Sequence, residues 1–129
     1  MNNDNQKYLL EKYPKLYRQH GLPMTETCMC WGFDVGDGWY DIINELSEKL
    51  EHLNNTEYSD DPIEAVQVKE KYGTLRCYLS GYNDEVHQLV NEAELKSEVT
   101  CEECGKPGVC RNEHWIRTLC DDCNGNRYK

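Results

Sequence analysis

The sequence predicts an α+β fold in which helices flank a small antiparallel β-hairpin or sheet and a four-cysteine module closes the C-terminal end. Three observations carry that expectation. Apolar residues recur at helical spacing from Trp39 to Leu53, residues 63–80 alternate as two joined strands do, and two Cys-x-x-Cys pairs fall between Cys101 and Cys123. With 129 residues and 38% hydrophobic content, the chain accommodates an acidic body over residues 1–99 and a small module over 100–129 packed on it.

Taken in order, N-Q-K-Y-L-L-E-K at 5–12 reads as a helix that Pro14 ends. Pro14 then opens a second short helix, P-K-L-Y-R-Q-H, stopped by Gly21. Residues 22–38 are rich in Gly and Pro and read as a loop holding at most one short strand. From 38 to 53, Trp39, Ile42, Ile43, Leu46, Leu50 and Leu53 make one apolar stripe, and Glu45, Glu48, Lys49 and Glu51 fall on the outer face. A polar loop, residues 54–62, leads to the two strands, which turn near Tyr72–Thr74. Val66 and Val68 mark one face of the first strand; Leu75, Cys77 and Leu79 mark one face of the second. Asn83 or Asp84 then caps a helix carrying Val86, Leu89, Val90 and Ala93.

No run of about 18 apolar residues is present, so no membrane-spanning helix is expected. The segment MNNDNQKYLLEKYP lacks the order of a secretory signal, which places the protein in a cytoplasm. In that reducing setting, eight cysteines with Cys-x-x-Cys spacing point to metal rather than to disulfides.

Cys101, Cys104, Cys120 and Cys123 are spaced C-x2-C-x15-C-x2-C. Each Cys-x-x-Cys turn aims two sulfurs at one ion, and Gly105 supplies the permissive backbone that such a turn requires. Between the pairs, V-C-R and H-W-I-R-T-L read as short strands around Asn112–Glu113. Two such knuckles across a hairpin make a closed tetrahedral four-thiolate site, the geometry of a zinc ribbon, so a structural Zn2+ is expected. A redox dithiol or an iron centre is the alternative, and Cys110 and His114 stand near enough to exchange with a ligand. Cys28, Cys30, Cys77 and Cys110 read as small buried thiols, with a second metal site as the other option.

The net charge is -10, and it lies wholly in residues 1–100, which hold 9 Lys and Arg against 19 Asp and Glu; residues 101–129 hold 5 of each. Four thiolates and a zinc dication take the module to about -2. Nucleic acid is therefore an unfavoured partner, because sequence-independent binding draws on many basic contacts to phosphate. Against that background V-K-E-K-Y-G-T-L-R-C-Y stands out. Strand alternation puts Lys69 and Lys71 opposite the apolar face, and Arg76 and Tyr78 likewise. The row reads either as a grip for a phosphate or carboxylate, with Arg76 bidentate and Tyr72 or Tyr78 stacking, or as a solvated strand face paired with acids. A second candidate is W-G-F-D-V-G-D-G-W-Y at 31–40. Asp37 between Gly36 and Gly38 opens the long helix, where free amides attract an anion, and Trp31, Phe33, Trp39 and Tyr40 would wall a pocket. The other reading makes Asp37 a cap and the aromatics core. His20, His52, His87 and His114 stand at no ligand or triad spacing, so no catalytic set is expected.

The ordered set of Y-P-K at 13–15, C-W-G-F-D-V-G-D-G-W-Y at 30–40, V-K-E-K-Y-G-T-L-R-x-Y at 68–78 and C-E-E-C-G-K-P-G with W-I-R-T-L-C-D-D-C at 101–123 resembles a family of small proteins of tailed phages and prophages. The resemblance implies an accessory, non-enzymatic role: binding a host protein, including components of antiviral defence, or sequestering an anionic signal nucleotide. An acidic body that mimics DNA toward a basic host protein belongs to the same expectation, and a nucleic-acid-binding regulator using the ribbon is the alternative. The sequence leaves homo-oligomerisation open.

Overall fold

A computed structural model describes residues 1–113 and 115–127. Helix α1 (Asn3–Lys12) starts where the Asn2 side chain accepts from Asn5 N at 2.8 Å. It ends at Tyr13, ahead of Pro14, and the expected second helix reduces to a turn followed by one 3-10 turn, Arg18–Gly21. Two further 3-10 turns, Met29–Trp31 and Asp37–Trp39, bracket strand β1 (Phe33–Asp34), and the second runs into helix α2 (Tyr40–Asn54). Strands β2 (Ala65–Lys71) and β3 (Thr74–Leu79) and helix α3 (Asp84–Ser97) complete the body. The Asn83 side chain caps α3 by accepting from Val86 N at 2.8 Å.

The architecture is α+β, as expected, with one addition. β1 pairs with β2 in parallel, Phe33 opposite Val68 and Asp34 opposite Lys69, so the sheet is mixed and three-stranded in the order β1-β2-β3. β2 and β3 form an antiparallel hairpin closed by Tyr72 (φ 54°) and Gly73 (φ 82°), the left-handed pair of a two-residue turn. The outer edge of β3 is covered: Leu75 N donates to Ser97 Oγ at 2.9 Å, and Leu79 N donates to the Tyr82 hydroxyl at 2.9 Å. One core lies between the helices and the sheet, where Leu9, Leu16, Met29, Trp39, Ile43, Leu50, Val68, Leu75 and Val86 are shut off from solvent.

Two polar side chains do structural duty inside that core. Glu51, expected on the outer face of α2, is buried, because its carboxylate accepts from Lys15 N at 3.0 Å and Leu16 N at 3.1 Å. These are the amides that the chain exposes by leaving its helix at Pro14. Asn54 has no exposed surface; it accepts from Ile63 N at 2.7 Å and donates to Ile63 O at 2.8 Å, closing the loop of residues 55–62. Asn54→Ala orphans both buried backbone groups, so a loss of about 2–4 kcal/mol is expected in chemical denaturation.

At the sheet edge, Arg18 forks onto Glu64, with Nη2 to Oε1 at 2.9 Å and Nε to Oε2, and Gln19 adds a bond at 3.1 Å. These donors, Arg18 first, hold the Glu64 carboxyl below its ordinary value against a smaller opposing effect of burial. A depressed folded pKa stabilises above the unfolded value, about 4.3, and that stability is lost as pH falls through the folded value. The Tm gap between wild type and Glu64→Gln is therefore expected to be open at pH 7 and to close toward pH 3.

The C-terminal segment forms a second hairpin, β4 (Val109–Arg111) with β5 (Arg117–Leu119), followed by the short helix α4 (Asp121–Asn126). It is bound to the body at both ends. Thr118 Oγ1 donates to Gly73 O at 2.6 Å, and Trp39 Nε1 donates to Thr100 O at 2.9 Å. Among the described residues no helix is long and apolar enough to cross a membrane.

Candidate metal centre and ligand surface

The four cysteines of the two knuckles converge. The sulfurs of Cys101, Cys104, Cys120 and Cys123 all lie within 4.8 Å of one another, and Cys104 Sγ is 3.6 Å from Cys120 Sγ. A tetrahedral ion with metal–sulfur bonds of about 2.3 Å holds its sulfurs about 3.8 Å apart, so the set fits such an ion.

Local backbone geometry builds each knuckle. Gly105, at φ 82°, donates its N–H to Cys101 O at 3.0 Å, and Cys101 N donates to Lys106 O at 2.7 Å. Cys120 caps α4, with Cys123 N donating to its sulfur at 3.4 Å. Burial opposes the charge on Cys101, but the amides of Cys120, Cys104 and Glu103 outweigh it and bring the thiol down to about 7. Cys101 and Cys120 are buried while Cys104 is exposed, so the ion would sit at the junction with the body, with one sulfur edge to solvent. None of the eight cysteines is in a disulfide. Cys28, Cys30, Cys77 and Cys110 join no group of candidate ligands among the described residues. Cys77 is buried, and burial first, then Glu94, pushes its thiol up to about 12. Cys28 and Cys110 are exposed rather than buried. His114, the alternative ligand, lies outside the described residues.

Trp39 belongs to the core, whereas Asp37 is exposed and hydrogen-bonded to the start of the chain. The amides of the Gly36–Gly38 turn are taken by the protein's own Glu102: Gly36 N donates to its carboxylate Oε2 at 2.9 Å, and Gly38 N donates to its backbone O at 2.7 Å. Asp37 Oδ1 accepts instead from Asn2 N at 2.8 Å and Asn5 Nδ2 at 3.3 Å, and the Asn2 amide is the main reason its carboxyl lies below the usual range. Trp39 is fully buried, Phe33 packs edge-on against Tyr17, and Trp31 is 70% exposed, so these aromatics line no common pocket. Sequence reasoning did not single out Glu102, which reads as filler inside C-E-E-C. It is buried, and burial raises its carboxyl while the Gly36 amide and Arg117 pull it back.

The basic row shares one face. The pairs are Gln67 with Tyr78, Lys69 with Arg76 and Lys71 with Thr74, opposite the buried face of Val68, Leu75 and Cys77. Asp34 stands beside Lys69 across β1, and Arg76 Nη1 lies 3.9 Å from Glu94 Oε2, so the paired cations Lys69 and Arg76 have an acid on either side. Lys69 and Lys71 make no carboxylate pair among the described residues. Tyr72 leaves the row for the tip of the hairpin, 68% exposed, with Lys71 Nζ 5.7 Å from its ring centroid.

No protein-family model, no curated protein and no solved structure matches the chain.

Proposed function

We propose that this chain is a non-catalytic accessory binding protein of the kind carried by tailed phages and prophages. It acts in the host cytoplasm against host defence by engaging a host protein or sequestering an anionic small molecule. In this reading the four thiolates hold one structural Zn2+. An all-thiolate set selects soft ions, zinc foremost, and four protein ligands leave no vertex for water or substrate. Zinc then props the junction between Cys101 and the Gly36–Trp39 turn and performs no chemistry.

The observation that carries the binding role is the row Lys69, Lys71 and Arg76, with Tyr78 beside it. It is held on one strand face of a chain whose net charge is -10. Cations gathered against that background raise the local concentration of an anionic partner.

The test is capture from bacterial lysate, with mass spectrometry of both co-eluting proteins and released small molecules. A captured species is expected with wild type and is lost with Lys69→Glu/Lys71→Glu, while thermal melting shows the variant still folded. A folded variant that retains every captured species contradicts the proposal. Binding to DNA or RNA that falls steeply with salt would replace it with a nucleic-acid regulator.

A further inference from the structure

We propose that the junction of the two hairpins is a stacking cleft for a planar aromatic anion, of the chemistry of a purine nucleoside monophosphate. This rests on the small-ligand arm of the reading above and gives it a place and a ligand class.

The cleft is lined by Glu70, Lys71, Tyr72, Trp115 and Ile116 and has a volume of about 370 Å³. Small-ligand sites run from roughly 300 to 1,000 Å³, whereas a stable protein interface needs about 800 Å² from each partner. Five residues around a space of this size match the first and fall short of the second.

Its two aromatic walls come from separate elements. Tyr72 is 68% exposed at the tip of the β2–β3 hairpin, and Trp115 is 71% exposed just before β5. Both are large apolar side chains turned to solvent, and every base offers a π-face to such a platform. Tyr72 is also the one residue other than glycine with a positive φ among the described residues. That turn position favours Asn, Asp or Gly, so a tyrosine there carries a conformational cost that hairpin closure does not explain. The second hairpin is pinned beneath the tip by Thr118 Oγ1 to Gly73 O, and Arg127 donates to Trp115 O, so both walls stand on fixed backbone.

The lining holds one acid and one base, and only the base is left open to a ligand. Glu70 Oε1 is tied to Gly73 N at 2.9 Å, inside the turn. Lys71 pairs with no carboxylate among the described residues and lies over the Tyr72 ring, while Lys69 follows on the same strand face. A base between Tyr72 and Trp115 would hold its phosphate toward Lys71.

The test is a fluorescence titration in a Trp31→Phe background. Trp39 is buried there, which leaves Trp115 as the exposed indole. Adenosine 5′-monophosphate and guanosine 5′-monophosphate are expected to quench saturably, adenosine to bind more weakly, and inorganic phosphate to leave emission unchanged. Tyr72→Asn suits the left-handed backbone better than tyrosine, and Trp115→Ala changes an exposed side chain, so both variants are expected to fold. Affinity should fall roughly 5- to 150-fold for Tyr72→Asn, read by Trp115 quenching, and for Trp115→Ala, read by calorimetry.

No binding of either nucleotide at millimolar concentration overturns the cleft. So does nucleotide binding that Lys69→Glu/Lys71→Glu abolishes but the aromatic variants leave intact, although the basic-face reading survives that result. A captured host protein lost with Tyr72→Asn and Trp115→Ala, in the absence of nucleotide binding, makes the junction a protein-docking site. That too overturns the proposal and leaves the accessory binding role standing.

Discussion

Cys101→Ser is expected to abolish metal retention and remove most of the thermal stability, lowering Tm by on the order of 15 °C or more. The size of the effect follows from position. Cys101 is fully buried, and its backbone closes the first knuckle through Gly105 N and Lys106 O. Its neighbours are the strip that receives the body: Thr100 O takes the Trp39 indole, and Glu102 takes the amides of Gly36 and Gly38. Without a metal, the thiols gathered within 4.8 Å have only weak hydrogen bonds to one another, and the strip loses its anchor. Cys28→Ser supplies the control: it changes an exposed thiol outside the cluster and is expected to leave metal content and melting unchanged. Elemental analysis beside thermal melting checks both variants. A Cys101→Ser protein that melts with wild type would remove the metal from the stability account.

The second large effect leaves every sulfur in place. A Cβ added at Gly38 would lie 2.1 Å from Cys101 O and 2.6 Å from the carbonyl carbon and oxygen of Glu102. All three are backbone atoms, with no flexible tail to move aside, so Gly38→Ala must push the C-terminal module off the body or shift the start of α2. A loss of about 3 kcal/mol is expected in chemical denaturation. Amide exchange should rise through residues 100–119, while metal content stays at the wild-type value. At Gly81 a Cβ meets nothing within 4 Å, so Gly81→Ala should be close to neutral. If Gly38→Ala proves as stable as Gly81→Ala, the close seating of the module on the turn is wrong. Together the two variants separate metal loss from docking loss.

Much of this arrangement was legible from pattern because the signals are local. The stripe from Trp39 to Leu53 follows helical period, Asn83 is a capping residue before an apolar-periodic run, and Cys-x-x-Cys is a complete ligand unit within one turn. The basic row was legible because strand alternation alone places Lys69, Lys71, Arg76 and Tyr78 on one face.

What escaped is non-local. β1 has two residues and pairs in parallel with a strand far along the chain, which no short-range pattern encodes. Glu51 and Glu102 are carboxylates, and carboxylates read as solvated until the fold supplies amides to them: Lys15 and Leu16 for one, Gly36 for the other. The same pairing explains why the Gly36–Gly38 turn looked like an anion site, since its Gly36 amide does hold a carboxylate, but an internal one. The Tyr72–Trp115 cleft escaped for a related reason: each half is an ordinary exposed aromatic until Thr118 binds Gly73.

The central claim is that one closed, all-sulfur ion supports the fold without taking part in chemistry. X-ray absorption at the zinc edge, on protein purified without added metal, tests it most directly. One zinc per chain with four sulfur neighbours at about 2.3 Å is the predicted result. A spectrum with an oxygen or nitrogen neighbour in the first shell, or a folded protein carrying no metal, would contradict it.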